Sequence, residues 1–145
     1  MLSQTVEYAL RAIVWLAAHD DGQTTQAIAE GTKVPASYLS KVLQGLQRAD
    51  LVQSRRGVGG GFALARSPRT IRVLDVVQAV DPIARIRTCP LGNPAHGTRL
   101  CPLHRRLDDA IASVERAFKS TTIQELAGPD VASRALCTGD SSEAS

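Results

Sequence analysis

Residues 34–66, VPASYLSKVLQGLQRADLVQSRRGVGGGFALAR, decide the fold class of this chain. Pro35 suits the first turn of a helix, and the apolar residues that follow recur at helical spacing, at Leu39, Val42, Leu43 and Leu46. Residues 51–56 and 62–66 are typical of two short strands, and the glycines between them, Gly57, Gly59, Gly60 and Gly61, are typical of a turn. The stretch therefore predicts a helix followed directly by a β-hairpin.

A shorter helix is predicted just before this stretch. Thr24 or Thr25 can cap it, Ala27 and Ile28 form its small apolar face, and Gly31 permits a tight turn after it. Two helices around a short turn form a helix-turn-helix, whose second helix typically enters the major groove of DNA, and a hairpin that follows it is a wing. The alternative is a plain helical hairpin within a bundle, whose polar outer face is only solvated.

The polar face of the second helix and the hairpin are the candidate DNA contacts. Base readout is predicted for Ser40, Lys41 and Gln44, with Ser37 on the same face. Contacts to the DNA backbone or the minor groove are predicted for the remaining residues, Tyr38, Arg55, Arg56, Gly59, Gly60 and Gly61.

The charge distribution favours this interpretation over an enzyme. From Lys33 to Arg69 there are seven Lys and Arg against one acid, Asp50, so the local charge is 7 − 1 = +6, whereas the whole chain carries +3. The glycine run lacks the following Lys-Ser/Thr of a phosphate-binding loop, and Phe62 stands where a dinucleotide fingerprint has its third glycine. Because paired carboxylates and a nucleophile motif are missing too, we predict that the chain is not an enzyme.

Three further helices are predicted. An amphipathic helix at the start of the chain is indicated by the spacing of Val6, Leu10, Ile13 and Ala17. A second helix, which ends at Pro82, is predicted to face inward with Leu74, Val77 and Val80. A long helix from Pro102 to Ser120 carries an apolar stripe at Leu103, Leu107, Ile111, Val114 and Phe118. Since a chain this small has little core left for the stripe, we predict a dimer seam, with intramolecular packing as the alternative.

The ends of the chain complete this outline. TTIQEL, residues 121–126, predicts a short helix with Thr122 and Glu125 as a capping box. The residues from 128 onward have little apolar content, which predicts a disordered tail. No apolar run approaches the roughly 20 residues of a membrane span. The opening segment is interrupted by Glu7 and Arg11 and lacks the basic start of a signal peptide, so we predict a cytoplasmic protein without membrane contact.

The segment from Cys89 to His104 holds two of the three cysteines. In the cytoplasm such a pair is more often a metal or redox pair than a structural disulfide. Cys101 and His104 share one helix face at i and i+3, thiolates are the usual iron–sulfur ligands, and His96 is a rival third ligand. A reversible disulfide without a cofactor, a zinc site and no cofactor at all stay open as alternatives.

Four segments together resemble the Rrf-two family of winged-helix regulators, which includes iron–sulfur cluster, nitric-oxide-sensing and cysteine-metabolism repressors. They are VEYALRAIVWLA, the run from IAEGTKVPASYL to GGGFALAR, TIRVLDVVQAVD and the cysteine loop leading into LHRRLDDAIASVERAFKSTTIQEL. The resemblance implies homodimers that bind operator DNA and cross their long helices.

The resemblance also implies a ligand set. Cys89 and Cys101 match the outer two of the family's three cysteines, while Ala95 stands at the middle position. His104 matches a histidine of one branch, and Glu7 matches a carboxylate that another branch contributes from the partner subunit. A two-iron, two-sulfur cluster held by Cys89, Cys101, His104 and the partner's Glu7 is therefore expected.

The sequence thus predicts a mainly α protein, a winged helix-turn-helix with a long C-terminal dimerisation helix. Residues 1–82 would form the DNA-binding domain, 83–104 the sensor loop, 102–127 the dimerisation helix with its short following helix, and 128–145 the tail. The predicted function is a homodimeric repressor that senses redox, nitric oxide or iron–sulfur status. The alternatives are a cofactor-free thiol-switch regulator and a redox protein whose winged helix mediates protein contacts.

Overall fold

The computed structural model describes residues 2–89, 91–92 and 99–128. Within these ranges the chain forms six α-helices and a two-stranded sheet: α1 (Gln4–Ala17), α2 (Thr25–Thr32), α3 (Ala36–Arg48), β1 (Val52–Arg55), β2 (Gly61–Leu64), α4 (Val73–Val80), α5 (Pro102–Ser120) and α6 (Ile123–Ala127). The mainly α, winged-helix prediction is confirmed. His96, Ala95 and the predicted tail from 129 onward, with Cys137, lie outside the described residues.

The helix-turn-helix begins at a threonine cap and turns at a lysine. Of the two candidate caps, Thr24 is the N-cap of α2, and its side chain accepts a hydrogen bond from the backbone N–H of Ala27. The prediction of a turn at Gly31 was wrong, because Gly31 lies inside α2 and the left-handed residue is Lys33, with φ 61°. Gly31 is needed for close packing instead, since a Cβ there would lie 2.3 Å from the indole ring of Trp15.

The core forms where α1, α3 and α4 meet. Leu39, Val42, Leu43 and Leu46 of α3 are all buried, which confirms the predicted inward face. In α4 the prediction was partly wrong, because Val73 and Val76 are buried together with Val77, whereas Leu74 and Val80 are only half-buried.

The wing is an antiparallel hairpin that is anchored to the α1–α2 connection. Its register pairs Val52 with Leu64 and Arg55 with Gly61. Gln23, from the connection, exchanges two backbone hydrogen bonds with Phe62, at 2.8 and 2.7 Å. Gly61 makes this possible, because it has φ 132° and a Cβ there would lie 2.4 Å from the Gln23 carbonyl oxygen.

The chain after α5 returns to the N-terminal core. Thr122 and Glu125 form the predicted capping box of α6. Ile123 is fully buried in the core cluster, and its N–H donates to the carbonyl of Ile71 at 2.9 Å. The far end of α5 is therefore tied to the winged helix.

No helix in the described part of the chain is long and apolar enough to cross a membrane.

Candidate nucleic-acid interface and cysteine site

The polar face of α3 is free to meet a ligand. Its predicted DNA-contacting residues are all exposed: Ser37, Tyr38, Ser40, Lys41 and Gln44. They stand opposite the buried apolar face, so the core fixes the helix while these side chains project outward. Such a face at the second helix of a helix-turn-helix has the placement of a recognition helix.

The wing continues this surface. The side-chain amide of Gln47, on α3, donates to the Ser54 hydroxyl of β1 at 3.4 Å, so helix and hairpin are neighbours on one side. Arg56 and Val58 at the turn are exposed. Arg55 is exposed too, and it also borders a cleft of about 320 Å³ next to His19 at the end of α1.

A brace between α1 and α3 was missed from the sequence. The ring of Tyr38 packs edge-to-face on Tyr8, with centroids 5.7 Å apart. The Arg11 guanidinium lies 5.7 Å from the same Tyr8 ring, and Arg11 also donates to the Thr32 carbonyl at 3.5 Å. The brace therefore fixes the first turn of α3 and the end of α2 against α1.

Cys101 and His104 are brought together as predicted from their spacing. Cys101 is the N-cap of α5, and its sulfur lies 3.1 Å from Nδ1 of His104. A tetrahedral metal bound to both atoms would separate them by about 3.6 Å, from ordinary metal–sulfur and metal–nitrogen distances. The pair therefore needs only a small adjustment to share a metal.

The other two ligands of the predicted set that the structure describes are Cys89 and Glu7. Cys89 is buried, with 8% exposed. Glu7 is exposed and accepts a hydrogen bond from Arg11 of its own chain at 2.7 Å. Within one chain, the residues that the structure describes contain no group of three His, Cys, Asp or Glu side chains that could hold a metal ion. Among these described residues, Cys101 and His104 therefore form a pair and not a complete metal site.

A second feature that was missed from the sequence is a polar contact between α5 and residues 82–89. We call residues 82–89 the strap and the Arg85–Asp108 contact the clamp. Arg85 donates to both carboxylate oxygens of Asp108, at 2.8 and 2.7 Å, and the backbone N–H of Ile86 donates to Asp108 at 2.9 Å. Glu115 lies 3.7 Å from the same guanidinium. The hydrogen bond from Arg85 lowers the pKa of Asp108 to about 2, and the hydrogen bond to Asp108 raises that of Arg85.

These features define a winged-helix DNA-binding protein with a cysteine-containing strap and loop. The family model described as Rrf2, an iron-dependent transcriptional regulator, matches residues 2–129. The chain therefore belongs to the Rrf2 (Rrf-two) family and is a DNA-binding transcriptional regulator, and the resemblance drawn from the sequence is confirmed.

Relatives and solved structures agree with this assignment. A protein of Aquifex aeolicus that is named as a putative HTH-type transcriptional regulator is 30% identical to this chain, over 87% of this chain and 90% of the relative. Another in Mycobacterium tuberculosis is 35% identical, over 88% of this chain and 81% of the relative. These relatives and the family are regulators of transcription and not enzymes.

Two solved structures share the fold to the same degree. CymR, the global cysteine regulator of B. subtilis, has a TM-score of 0.73 and 25% identity, over 88% of this chain and 95% of that chain. IscR of T. potens has a TM-score of 0.71 and 26% identity, over 85% of this chain and 82% of that chain.

Proposed function

We propose that this chain acts as a homodimeric repressor whose α3 helices and wings bind an operator and whose cysteine site controls that binding. The observation that carries the proposal is the exposed polar face of α3, which continues into the basic wing through the Gln47–Ser54 contact. Such a surface supplies phosphate contacts from the wing and base contacts from the helix.

The first experiment tests DNA binding without knowledge of the operator. Retardation of a random duplex at low salt is expected for the wild type, because phosphate contacts give binding on any sequence. The variant Lys41→Ala should bind more weakly, and Arg116→Ala, on α5, serves as the charge-matched control. If the duplex migrates at every wild-type protein concentration as it does without protein, the proposal is contradicted.

Dimerisation is proposed from α5. Leu103 is 62% exposed and Leu107 is 46% exposed, although both belong to an amphipathic helix. Only Ala112 of α5 is buried within the single chain. A second copy would cover the exposed leucines, and crossing two such helices would set the distance between the two α3 helices.

For the sensor we propose a two-iron, two-sulfur cluster held by Cys89, Cys101, His104 and the partner's Glu7. The donor chemistry fits, because two thiolates, one imidazole and one carboxylate supply the four ligands that such a cluster needs. The Cys101–His104 pair is already on one side of α5, and Arg11 must give up Glu7 before that carboxylate can ligate. When bound, the cluster would supply a redox-active and nitric-oxide-reactive centre.

The cluster is tested by anaerobic purification, an absorption spectrum, and iron and sulfide analysis. Visible sulfur-to-iron bands are expected in the wild type and in Ser113→Ala, the control on α5, and they should be lost in Cys101→Ala. A colourless wild type that stays iron-free after reconstitution would overturn the cluster and leave DNA binding untouched.

A thiol switch without a cofactor is the second candidate. The observation that favours it is the half-exposed Cys101 sulfur beside His104, since accessible thiols next to a basic group are typical redox sensors. This candidate predicts that a mild disulfide reagent changes DNA affinity in iron-free protein and that Cys101→Ala abolishes the change.

A further inference from the structure

The path of the strap along α5 can be followed from its contacts. Ile83 and Ala84 line a cavity of about 220 Å³ together with Ile111 and Val114 of α5. Arg85 and Ile86, the next two residues, bind Asp108, one turn closer to the start of α5. The strap therefore runs antiparallel to α5, towards its N-terminus.

The continuation of this path leads to Cys101. Cys89 follows Ile86 by three positions, and an extended chain covers at most about 10 Å over that length. Asp108 follows Cys101, the N-cap of α5, by seven positions, and a helix rises about 10 Å over that length. The strap bends at Thr88, so its length from Ile86 is at most what Cys89 needs to reach the level of Cys101 and His104.

The clamp and the cysteine pair also lie on one side of α5. Cys101, His104 and Asp108 are spaced i, i+3 and i+7, which places all three on the same helix face, and Glu115 follows seven residues later. Asp109, in contrast, is exposed and lies about 100° around the helix from Asp108. The face that holds the strap is thus the face that holds the cysteine and histidine.

We propose that Arg85 and Asp108 are positioning residues that fix the register of the strap on α5 and so keep Cys89 within reach of Cys101 and His104. The proposal deepens the proposed function, because it assigns the clamp to the same cysteine site. It does not require a completed site in the single chain. The clamp supplies the register of the strap on α5.

The geometry of the clamp suits this role. Asp108 accepts three hydrogen bonds from two successive strap residues, and two of them come from the planar guanidinium in a bidentate arrangement that fixes direction as well as distance. The side chain of Asp108 is 15% exposed, so solvent competes little for these bonds. Loss of the Asp108 carboxylate would remove the charge that accepts all three of these hydrogen bonds from the strap.

The test uses a disulfide between Cys89 and Cys101 as a measure of their proximity. The two thiols lose two protons and two electrons as the S–S bond forms, and oxidised glutathione takes them up to become two reduced glutathiones. The full-length chain carries Cys137→Ser, so that only two thiols remain. Equilibration in glutathione buffers, followed by peptide mass analysis and a non-reducing gel, gives the equilibrium constant for the intrachain bond.

Asp108→Asn should lower this equilibrium constant about tenfold relative to the parent, because a loosened strap reduces the effective concentration of one thiol at the other. Asp109→Asn, which removes the same charge from an exposed neighbour that makes none of the clamp hydrogen bonds, should leave it unchanged within about twofold. Arg85→Lys keeps the charge but not the bidentate geometry, and its value should lie between those of the parent and Asp108→Asn.

The equilibrium constants are compared at temperatures where circular dichroism shows every variant fully folded, so that a general loss of stability does not enter. Equal constants for Asp108→Asn and the parent would overturn the proposal, and so would a parent that forms no intrachain bond in any buffer. Retardation of a random duplex by the same preparations tests the proposed function separately. A chain that fails to bind DNA still gives the equilibrium constant of the Cys89–Cys101 disulfide, so the two proposals can fail independently.

Discussion

Helices α3 and α5 are both amphipathic, yet only α3 completes its packing inside one chain. Four apolar residues of α3 are buried to 2% exposure or less, and its polar face is left for a ligand. In α5, Ile111 and Val114 line a cavity and Phe118 packs on the core, while Leu103 and Leu107 stay exposed. An apolar stripe on a helix therefore predicts that the stripe is buried, but it does not tell whether the same chain or a second copy buries it.

The largest effect is expected where the packing of α3 is complete. Leu43→Ala should lower the free energy of unfolding by about 2–5 kcal/mol, because a fully packed leucine leaves a cavity when it is truncated. Denaturant titration followed by circular dichroism measures the change. Leu91→Ala is the control, since that side chain is 86% exposed and its loss should cost less than about 0.5 kcal/mol. Equal losses in both variants would break the comparison.

The next effect should appear in assembly rather than in folding. Leu107→Asp should weaken the dimer about 30-fold, the cost of about 2 kcal/mol expected for a central interface residue. Sedimentation equilibrium measures the dissociation constant, with Ser113→Asp as a control that adds the same charge away from the stripe. If Leu107→Asp leaves the dimer intact, the exposed stripe is not the seam and the intramolecular alternative gains support.

Each arginine of the wing should contribute a smaller increment to the affinity for DNA, through one contact with a phosphate. Arg55→Ala and Arg56→Ala are each expected to weaken binding on all DNA sequences and to reduce the slope of log affinity against log salt by about 1. Fluorescence anisotropy across a salt series measures the slope, with Arg116→Ala as the control. Because Arg55 also borders the cleft beside His19, a change confined to Arg56→Ala would show that Arg55 serves the fold instead.

The smallest effect is the pH dependence of the clamp. The pKa of Asp108 is about 2 in the folded chain, below the roughly 4 of an ordinary aspartate. The carboxylate therefore stabilises the folded state above about pH 4, and this contribution is lost as the pH falls towards 2. Acid titrations of unfolding should be shallower in Asp108→Asn than in the wild type over that range. Parallel titration curves would contradict the role of the clamp in stability.

Much of the DNA-binding half could be predicted because its signals are local. The spacing of Leu39 to Leu46, the glycines of the wing and the Thr122–Glu125 capping box each act within a few residues, and the structure has all three. The errors arose where packing overruled the local signal. Gly31 looked like a turn residue, but its missing side chain makes room for Trp15, which is 16 positions earlier in the chain.

The cysteine site could be predicted only in part, for the same reason. The Cys101–His104 pair follows from helical spacing, and the structure places the two side chains 3.1 Å apart. The Arg85–Asp108 clamp joins residues 23 positions apart, and nothing in the residues near Arg85 indicates its partner. The ligand set with Glu7 of the partner subunit stays a prediction, and His96 lies outside the described residues.

The sequence by itself determined the order of helices and strands, the inward face of α3, the basic wing and the family, because periodicity, turn residues and local charge act over short distances. Only the tertiary structure decided which side of α5 the strap occupies, which residues brace Tyr38 and where Gly31 is needed. Those choices depend on surfaces that meet after the chain has folded back on itself. The register of the strap, and with it the reach of Cys89, belongs to this second group.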